Sequence, residues 1–260
     1  MPPPSAPLPK EAFSTVSAVK ADDPASWDGR AFLTFDIDWA HDGVLEAAIR
    51  LVEQAEVHAT WFVTHDTPLL ARLRANPKFE LGLHPNFLPL LMRGDPSNGA
   101  TAEEVLDRLL GVVPEAKSVR SHSLVQSGRL LELFRDKGLT HEASAFLPEA
   151  SGMTLKPWTD WFGVIRVPYF WEDDFWCDAG RPGDIAELAV RHGIRGFDFH
   201  PIHVFLNTDR LSRYESARAD FRDPERLRAH VNGDSMGVGD VLRQLLGLGA
   251  MTDPCAQRAP

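Results

Sequence analysis

Strand and helix patterns alternate about seven times along this chain, which predicts an α/β fold built on a parallel sheet or a (β/α) barrel. Two further observations narrow the prediction. The residues able to do chemistry follow the predicted strands rather than preceding them, as they do at the C-terminal rim of a β/α barrel. The 260 residues, 43% apolar and 25% charged, also suit one large domain with a full core. The predicted organisation is an N-terminal arm over 1–29, a single catalytic (β/α) barrel domain over 30–250 and a flexible tail over 251–260.

The arm, "MPPPSAPLPKEAFSTVSAVKADDPASWDG", reads from its Pro, Ser and Ala content as disordered or loosely docked. It has no apolar h-region and so does not read as a secretory signal. "AFLTF" (31–35) is a short apolar run with the character of a buried strand. "VLEAAIRLVEQA" (44–55) repeats its apolar residues at threes and fours and predicts a helix. "ATWFVT" (59–64) is aromatic and β-branched, hence a strand. "PLLARLRAN" (68–76) is a helix opened by Pro68, and "FELGL" (79–83) is the next strand. Prolines and glycines make 86–100 a loop. Thr101 then caps a helix, with Glu104 three residues on.

"AKSVR" (116–120) reads as a strand and "GRLLELFRDKG" (128–138) as a helix ended by Gly138. "LTHEAS" and "FGVIRVP" (162–168) are strands, and "DIAELAVRHG" (184–193) is a helix. "IRGFDFHPIHVFL" (194–206) begins as a strand, and "GDVLRQLLGLG" (239–249) closes the domain as a helix. There is no internal repeat.

A net charge of −10 gives no counterion release on DNA or RNA and argues against a nucleic-acid partner. No apolar run approaches ~18 residues, so no membrane span is expected. The two cysteines, Cys177 and Cys255, read as free thiols rather than a disulfide framework. Together these features place the chain in the cytoplasm.

The chemistry begins at "LTFDIDWAHD" (33–42). Residues two apart on a strand share a side, so Asp36 and Asp38 are expected to enter one mouth, where they repel unless a cation or proton lies between them. A metal on one carboxylate leaves the other as a base. Asp42 is expected to cap the following helix, with His41 unassigned. "LHPNF" offers His84 at a strand end, and "VRSHS" offers Arg120 and His122 on one face if the strand continues. Asp38, His84 and His122 would then hold a divalent metal with open positions. Zinc comes first, and iron, cobalt and nickel are compatible. "FHPIH" adds His200 and His203, each able to serve as a fourth ligand or as a general acid.

Taken in order, "LTFDIDWA", "ELGLHPNF", "VRSHS" and "FDFHPIH" resemble the successive motifs of the polysaccharide deacetylase family (NodB homology, carbohydrate esterase family 4), in its WbmS-like subgroup. The resemblance spans about 31–207. It implies a distorted (β/α)7-type barrel that removes acetyl groups from sugars with a divalent metal. By position it makes Asp36 the base, Asp38 and His84 metal ligands, Arg120 the partner that tunes the base, and His200 or His203 the acid. The family's second motif carries two histidines four residues apart. Here the second position is Leu88, and His122 is the replacement expected from the residues themselves.

Within "VPYFWEDDFW" (167–176), Trp171 is the expected sugar platform. Asp173, with Glu172 and Asp174 beside it, is expected to bind hydroxyls or orient a histidine, and Asn86 is the remaining candidate for substrate contact. The expected substrate is an acetylated amino sugar or polysaccharide precursor. The rival readings are hydrolysis of another C–N bond on the same metal, and a non-catalytic sugar-binding relative in which His122 points away from Asp38 and His84.

Overall fold

The computed structural model describes residues 8–92, 99–180 and 185–249. The expected tail over 251–260, with Cys255, lies outside the described residues. Ten strands form one sheet: β1 Phe13–Ser14, β2 Ala31–Asp36, β3 Ala59–Val63, β4 Phe79–Leu83, β5 Ser118–Val119, β6 His141–Glu142, β7 Trp158–Thr159, β8 Ile165–Arg166, β9 Trp171–Glu172 and β10 Arg195–Phe199. Their order is β7-β8-β6-β5-β4-β3-β2-β10-β9, with β1 added on β2. All pairs are parallel except the β7–β8 hairpin.

The sheet curls, and its ends are joined by one stretch of backbone. Ile165 and Arg166 pair with β6, whereas Trp171 and Glu172, a few residues on, pair with β10. Between them Tyr169 bridges to Phe146. Residues 165–172 therefore act as one broken stave, and the result is the distorted barrel that the strand–helix alternation predicts. Because the staves are parallel, their C-terminal ends share one mouth.

The apolar core lies between the sheet and its covering helices: along the strands Phe35, Trp61 and Phe199 alternate with Asp36, Phe62 and Asp198, which face the inside of the curl. Phe35 stacks on Trp61 with centroids 4.2 Å apart and meets Phe199 at 5.9 Å. Helices cover the outside. Asp42–Ala55 buries Val44, Leu45, Ala48, Ile49, Leu51, Val52 and Ala55, the spacing that predicted it. Gly82 of β4 is needed for close approach. A Cβ there would lie 2.6 Å from Ser118 Oγ and 2.7 Å from Phe62.

From Phe13 onward the N-terminal arm is packed, not loose. Phe13, Val16, Val19 and Trp27 are buried, and β1 pairs with the start of β2. Val16 N donates to Thr60 Oγ1 (3.0 Å), Ser17 N to Glu80 Oε2 (3.0 Å), and His141 Nε2 meets the Val19 carbonyl at 2.8 Å. The segment thus crosses the N-terminal ends of several staves and plugs the end of the barrel opposite the mouth. Composition hid this, because the apolar residues at every third position (13, 16, 19) are diluted by Ser, Thr and Ala.

Part of the expected 86–100 loop is a short helix, Leu88–Met92, and residues 93–98 lie outside the described residues. No described helix is long and apolar enough to cross a membrane.

Candidate active site

The ends of β2, β4, β5, β9 and β10 deliver side chains to the mouth. β2 ends at Asp36, so Asp38 lies beyond the strand. It reaches the mouth through a left-handed turn, with φ +37° at Asp38 and +53° at Trp39, rather than by the strand alternation expected for it. β5 likewise ends at Val119, and His122 opens a 3₁₀ turn instead of continuing the strand. Its amide donates to the Pro85 carbonyl (3.0 Å), which fastens this turn to the one carrying His84.

Asp38, His84 and His122 are brought together. Asp38 Oδ1 lies 3.2 Å from His84 Nε2 and 3.3 Å from His122 Nδ1, and the two nitrogens are 3.2 Å apart. Ligand bonds of about 2.0–2.1 Å place tetrahedral vertices about 3.3 Å apart, so this triangle is one face of a tetrahedral site with its fourth position open. Asp38 Oδ1 is shielded from solvent and accepts no aligned hydrogen bond despite its two close nitrogens. Three ligand atoms gathered this closely, two imidazole nitrogens and a carboxylate oxygen, fit a divalent metal. Burial opposes ionisation of Asp38, but the His122 and His84 imidazoles outweigh it and hold the pKa well below the usual carboxylate range. His122 responds in kind: desolvation works against its charge, and Asp38 raises its pKa above the ordinary value.

Asp36 sits beside the triangle, with Oδ2 3.4 Å from His84 Nε2. Its other oxygen accepts from Arg120 Nη1 at 3.0 Å. The Arg120 guanidinium is buried between the Phe62 and Tyr169 rings, 4.5 and 4.4 Å from their centroids. Its Nε donates to the Ala143 carbonyl (2.9 Å), and its Nη1 also reaches Thr34 Oγ1 (2.9 Å) and Asp198 Oδ1. Asp198 was not anticipated. The available signal was a charged residue in the otherwise apolar "GFDFH", two positions before His200 and therefore on its face. Burial pushes the Asp198 carboxyl well above its usual range; Arg120 opposes this and Asp36 adds to it.

On the opposite flank His200 caps the end of β10. Its Nδ1 bonds Asp173 Oδ1 at 2.7 Å, its amide donates to Asp173 Oδ2 at 2.6 Å, and its Nε2 points back toward Asp38 Oδ2 at 3.6 Å. Desolvation disfavours the imidazolium, yet Asp173, Asp174 and Asp38 carry the His200 pKa well above the ordinary value. His203 does not share this position. Its Nε2 is paired with Asp174 Oδ1 (2.6 Å) and its Nδ1 with Thr208 Oγ1 (3.0 Å). Asp174, half-exposed beside these imidazoles, is lowered to about 2: burial opposes ionisation, and His203 and His200 overcome it.

Of the residues expected to touch substrate, Trp171 and Asp173 face inward. Trp171 is 4% exposed and packs on Phe199 (4.7 Å) and Trp176 (6.1 Å), so it is core rather than platform. Asp173 is fully buried under His200, so of its two expected placements it meets the histidine and not a sugar hydroxyl. Asn86 commits its amide oxygen to the Leu88 N–H (3.0 Å) at the start of Leu88–Met92. His41, not Asp42, caps the helix after the DID motif, its Nδ1 accepting from Gly43 N at 3.1 Å. Asp42 instead accepts from Thr67 Oγ1 at 2.5 Å.

Comparison with known proteins agrees with the order of motifs. A family model of the WbmS-like polysaccharide deacetylases matches residues 33–218. The chain belongs to this family. A crystal structure from Bordetella bronchiseptica, of a protein assigned as a polysaccharide deacetylase involved in O-antigen biosynthesis, is 45% identical. It covers 92% of this chain and 98% of that one, with a TM-score of 0.83, so this WbmS-like chain shares its whole fold. A polysaccharide deacetylase structure from Mycobacterium smegmatis (14% identity, 96% and 99% coverage) gives a TM-score of 0.46. A carbohydrate esterase family 4 pseudoenzyme from Bacillus anthracis (13% identity, 82% and 64% coverage) gives 0.39. No curated protein matches the chain.

Proposed function

We propose that this WbmS-like protein hydrolyses the acetamide of an amino sugar, releasing acetate and a free amine, with a divalent metal held by Asp38, His84 and His122. The observation that carries this reading is the tetrahedral face made by those three residues, flanked by Asp36 on one side and His200 on the other. Because His122 points into that face, the geometry favours a working site over a binding relative with a degenerate one. Zinc suits two imidazoles, one carboxylate and an open position. When bound, the metal supplies Lewis-acid polarisation of the acetyl carbonyl and acidifies water at the site.

The chain's own groups account for the proton movements. Asp36, charge-paired with Arg120, takes a proton from the attacking water. His200 enters the reaction protonated, held so by Asp173, and gives its Nε2 proton to the departing nitrogen as the C–N bond breaks. An amine anion does not leave without that proton. The 45% identical relative, assigned as a polysaccharide deacetylase involved in O-antigen biosynthesis, supports an acetylated sugar of a polysaccharide or its precursor as the substrate.

The test is acetate release from a panel of acetamido sugars alongside metal analysis of the same samples. Asp36→Asn is expected to lose about 10²–10⁴ in kcat, the usual worth of a general base, while retaining the metal. His122→Ala is expected to lose the metal and the activity together. If Asp36→Asn and wild type released acetate equally, the proposal would be wrong.

A further inference from the structure

One large aromatic side chain at the mouth is used by nothing described so far. Trp39 is 44% exposed, and its indole meets the His122 ring edge-on, with centroids 5.2 Å apart and planes at 78°. Its backbone is left-handed (φ +53°), as is that of Asp38 before it, a conformation that bulky L-residues adopt only at a cost. The cost is met by a fixed contact: the Trp39 N–H donates to Thr64 Oγ1 at 3.0 Å. Such strain is characteristic of functional sites, where a side chain must be aimed. The turn that points the Asp38 carboxylate into the triangle therefore also sets the indole beside it, facing solvent.

The other aromatic groups at the mouth are spent elsewhere. Tyr169 covers Arg120, Trp171 is core, and Phe175 lies edge-on to Phe146 at 5.4 Å, which packs on Tyr169. Among the described aromatic residues, Trp39 alone joins large apolar exposure to a ring contact with a residue of the triangle. A pyranose has an apolar C–H face a bond or two from its acetamide, and the electron-rich face of an indole attracts such C–H groups. With the amide at the triangle, the ring that bears it falls next to Trp39.

We propose that Trp39 is a specificity-determining residue, forming one wall of the substrate site and stacking on the pyranose that carries the reacting acetamide. This rests on the deacetylase reading. The test compares kcat/KM for the methyl glycosides of N-acetylglucosamine and N-acetylgalactosamine with kcat/KM for vinyl acetate, an acetyl ester without a ring.

In Trp39→Ala and Trp39→Leu the ratio of sugar to ester kcat/KM is expected to fall about tenfold or more, through the sugar KM, the size of effect one aromatic contact gives. Trp39→Phe, which keeps a ring, is expected to recover most of it. An unchanged ratio in active Trp39→Ala and Trp39→Leu would overturn the stacking proposal while leaving the deacetylase reading intact, even if both rates fell through disturbance of His122. A wild-type enzyme that releases acetate from neither glycoside but cleaves vinyl acetate would overturn the sugar reading and the stacking with it.

Discussion

Asp36 and Asp198 share the guanidinium of Arg120. Asp198 is fully enclosed, and burial pushes its carboxyl well above its usual range while Arg120 opposes the shift. Asp198→Asn keeps an acceptor oxygen for Arg120 and is expected to cost less than about tenfold in kcat, in contrast to Asp36→Asn. His200 yields a second prediction. An acid must be protonated to act, and Asp173, Asp174 and Asp38 raise this imidazole well above its ordinary value against the effect of burial. The alkaline limb of the kcat–pH profile is therefore expected above the ordinary imidazole pKa of about 6.5. Removing the carboxylate in Asp173→Asn lowers the His200 pKa, so that limb should move to lower pH. A pH profile with the limb unmoved would exclude the dyad.

The arrangement is unevenly legible in the sequence. The places of Asp36, Asp38, His84, Arg120 and His200 at the mouth can be read because each follows an apolar run at a position where charge is otherwise costly. The burial of Trp171, and the turn of Asp173 toward His200 rather than toward solvent, cannot be read, because exposure is a tertiary property and "VPYFWEDDFW" carries no period that says which side chains face inward. The division of labour between His200 and His203 was equally hidden, since it depends on Asp174 and Thr208 reaching His203 from other elements.

At the scale of elements, two local features hold the site in place. Gly82 lets the Phe62 ring and Ser118 close over β4, and that same ring supports one face of Arg120. Gly82→Ala is expected to destabilise by about 1–3 kcal/mol through overpacking, measured by chemical denaturation. Its effect on kcat should exceed that of a distant core change of equal cost. The plug formed by residues 13–19 acts at the opposite end. Phe13 is 3% exposed, and Phe13→Ala is expected to lower stability by about 3–5 kcal/mol. A loss near zero would mean that the arm is only loosely attached. The strands and the long amphipathic helices were visible in sequence because their periods are strong. β5, β6, β8 and β9, two residues each, are too short to have a period and take their definition from their neighbours.

For the whole molecule, the proposed metal ligands gather segments separated by more than eighty residues, from Asp38 to His122, so metal binding there would be coupled to the folded state. Metal at a hundredfold excess over Kd is expected to stabilise the fold by about 2.7 kcal/mol, read as a rise in Tm that a chelator reverses. Lowering the pH should weaken the binding. Against desolvation, Asp38 raises the His122 pKa above its ordinary value in the metal-free protein, so protons compete with a metal for this imidazole more strongly as the pH falls.

The broken stave and β10 complete the ring last along the chain, with Phe199 settling beside Phe35 across most of the sequence. The three proposed metal ligands lie in the first half of the molecule, just past the ends of β2, β4 and β5, whereas His200 follows the closing strand. On the proposed reading, a chain emerging during synthesis thus acquires the residues that would hold an ion before it acquires the acid. Long-range closure of this kind is slow. In refolding, metal uptake should run ahead of recovered turnover, and the interval between them would time the seating of the final strand.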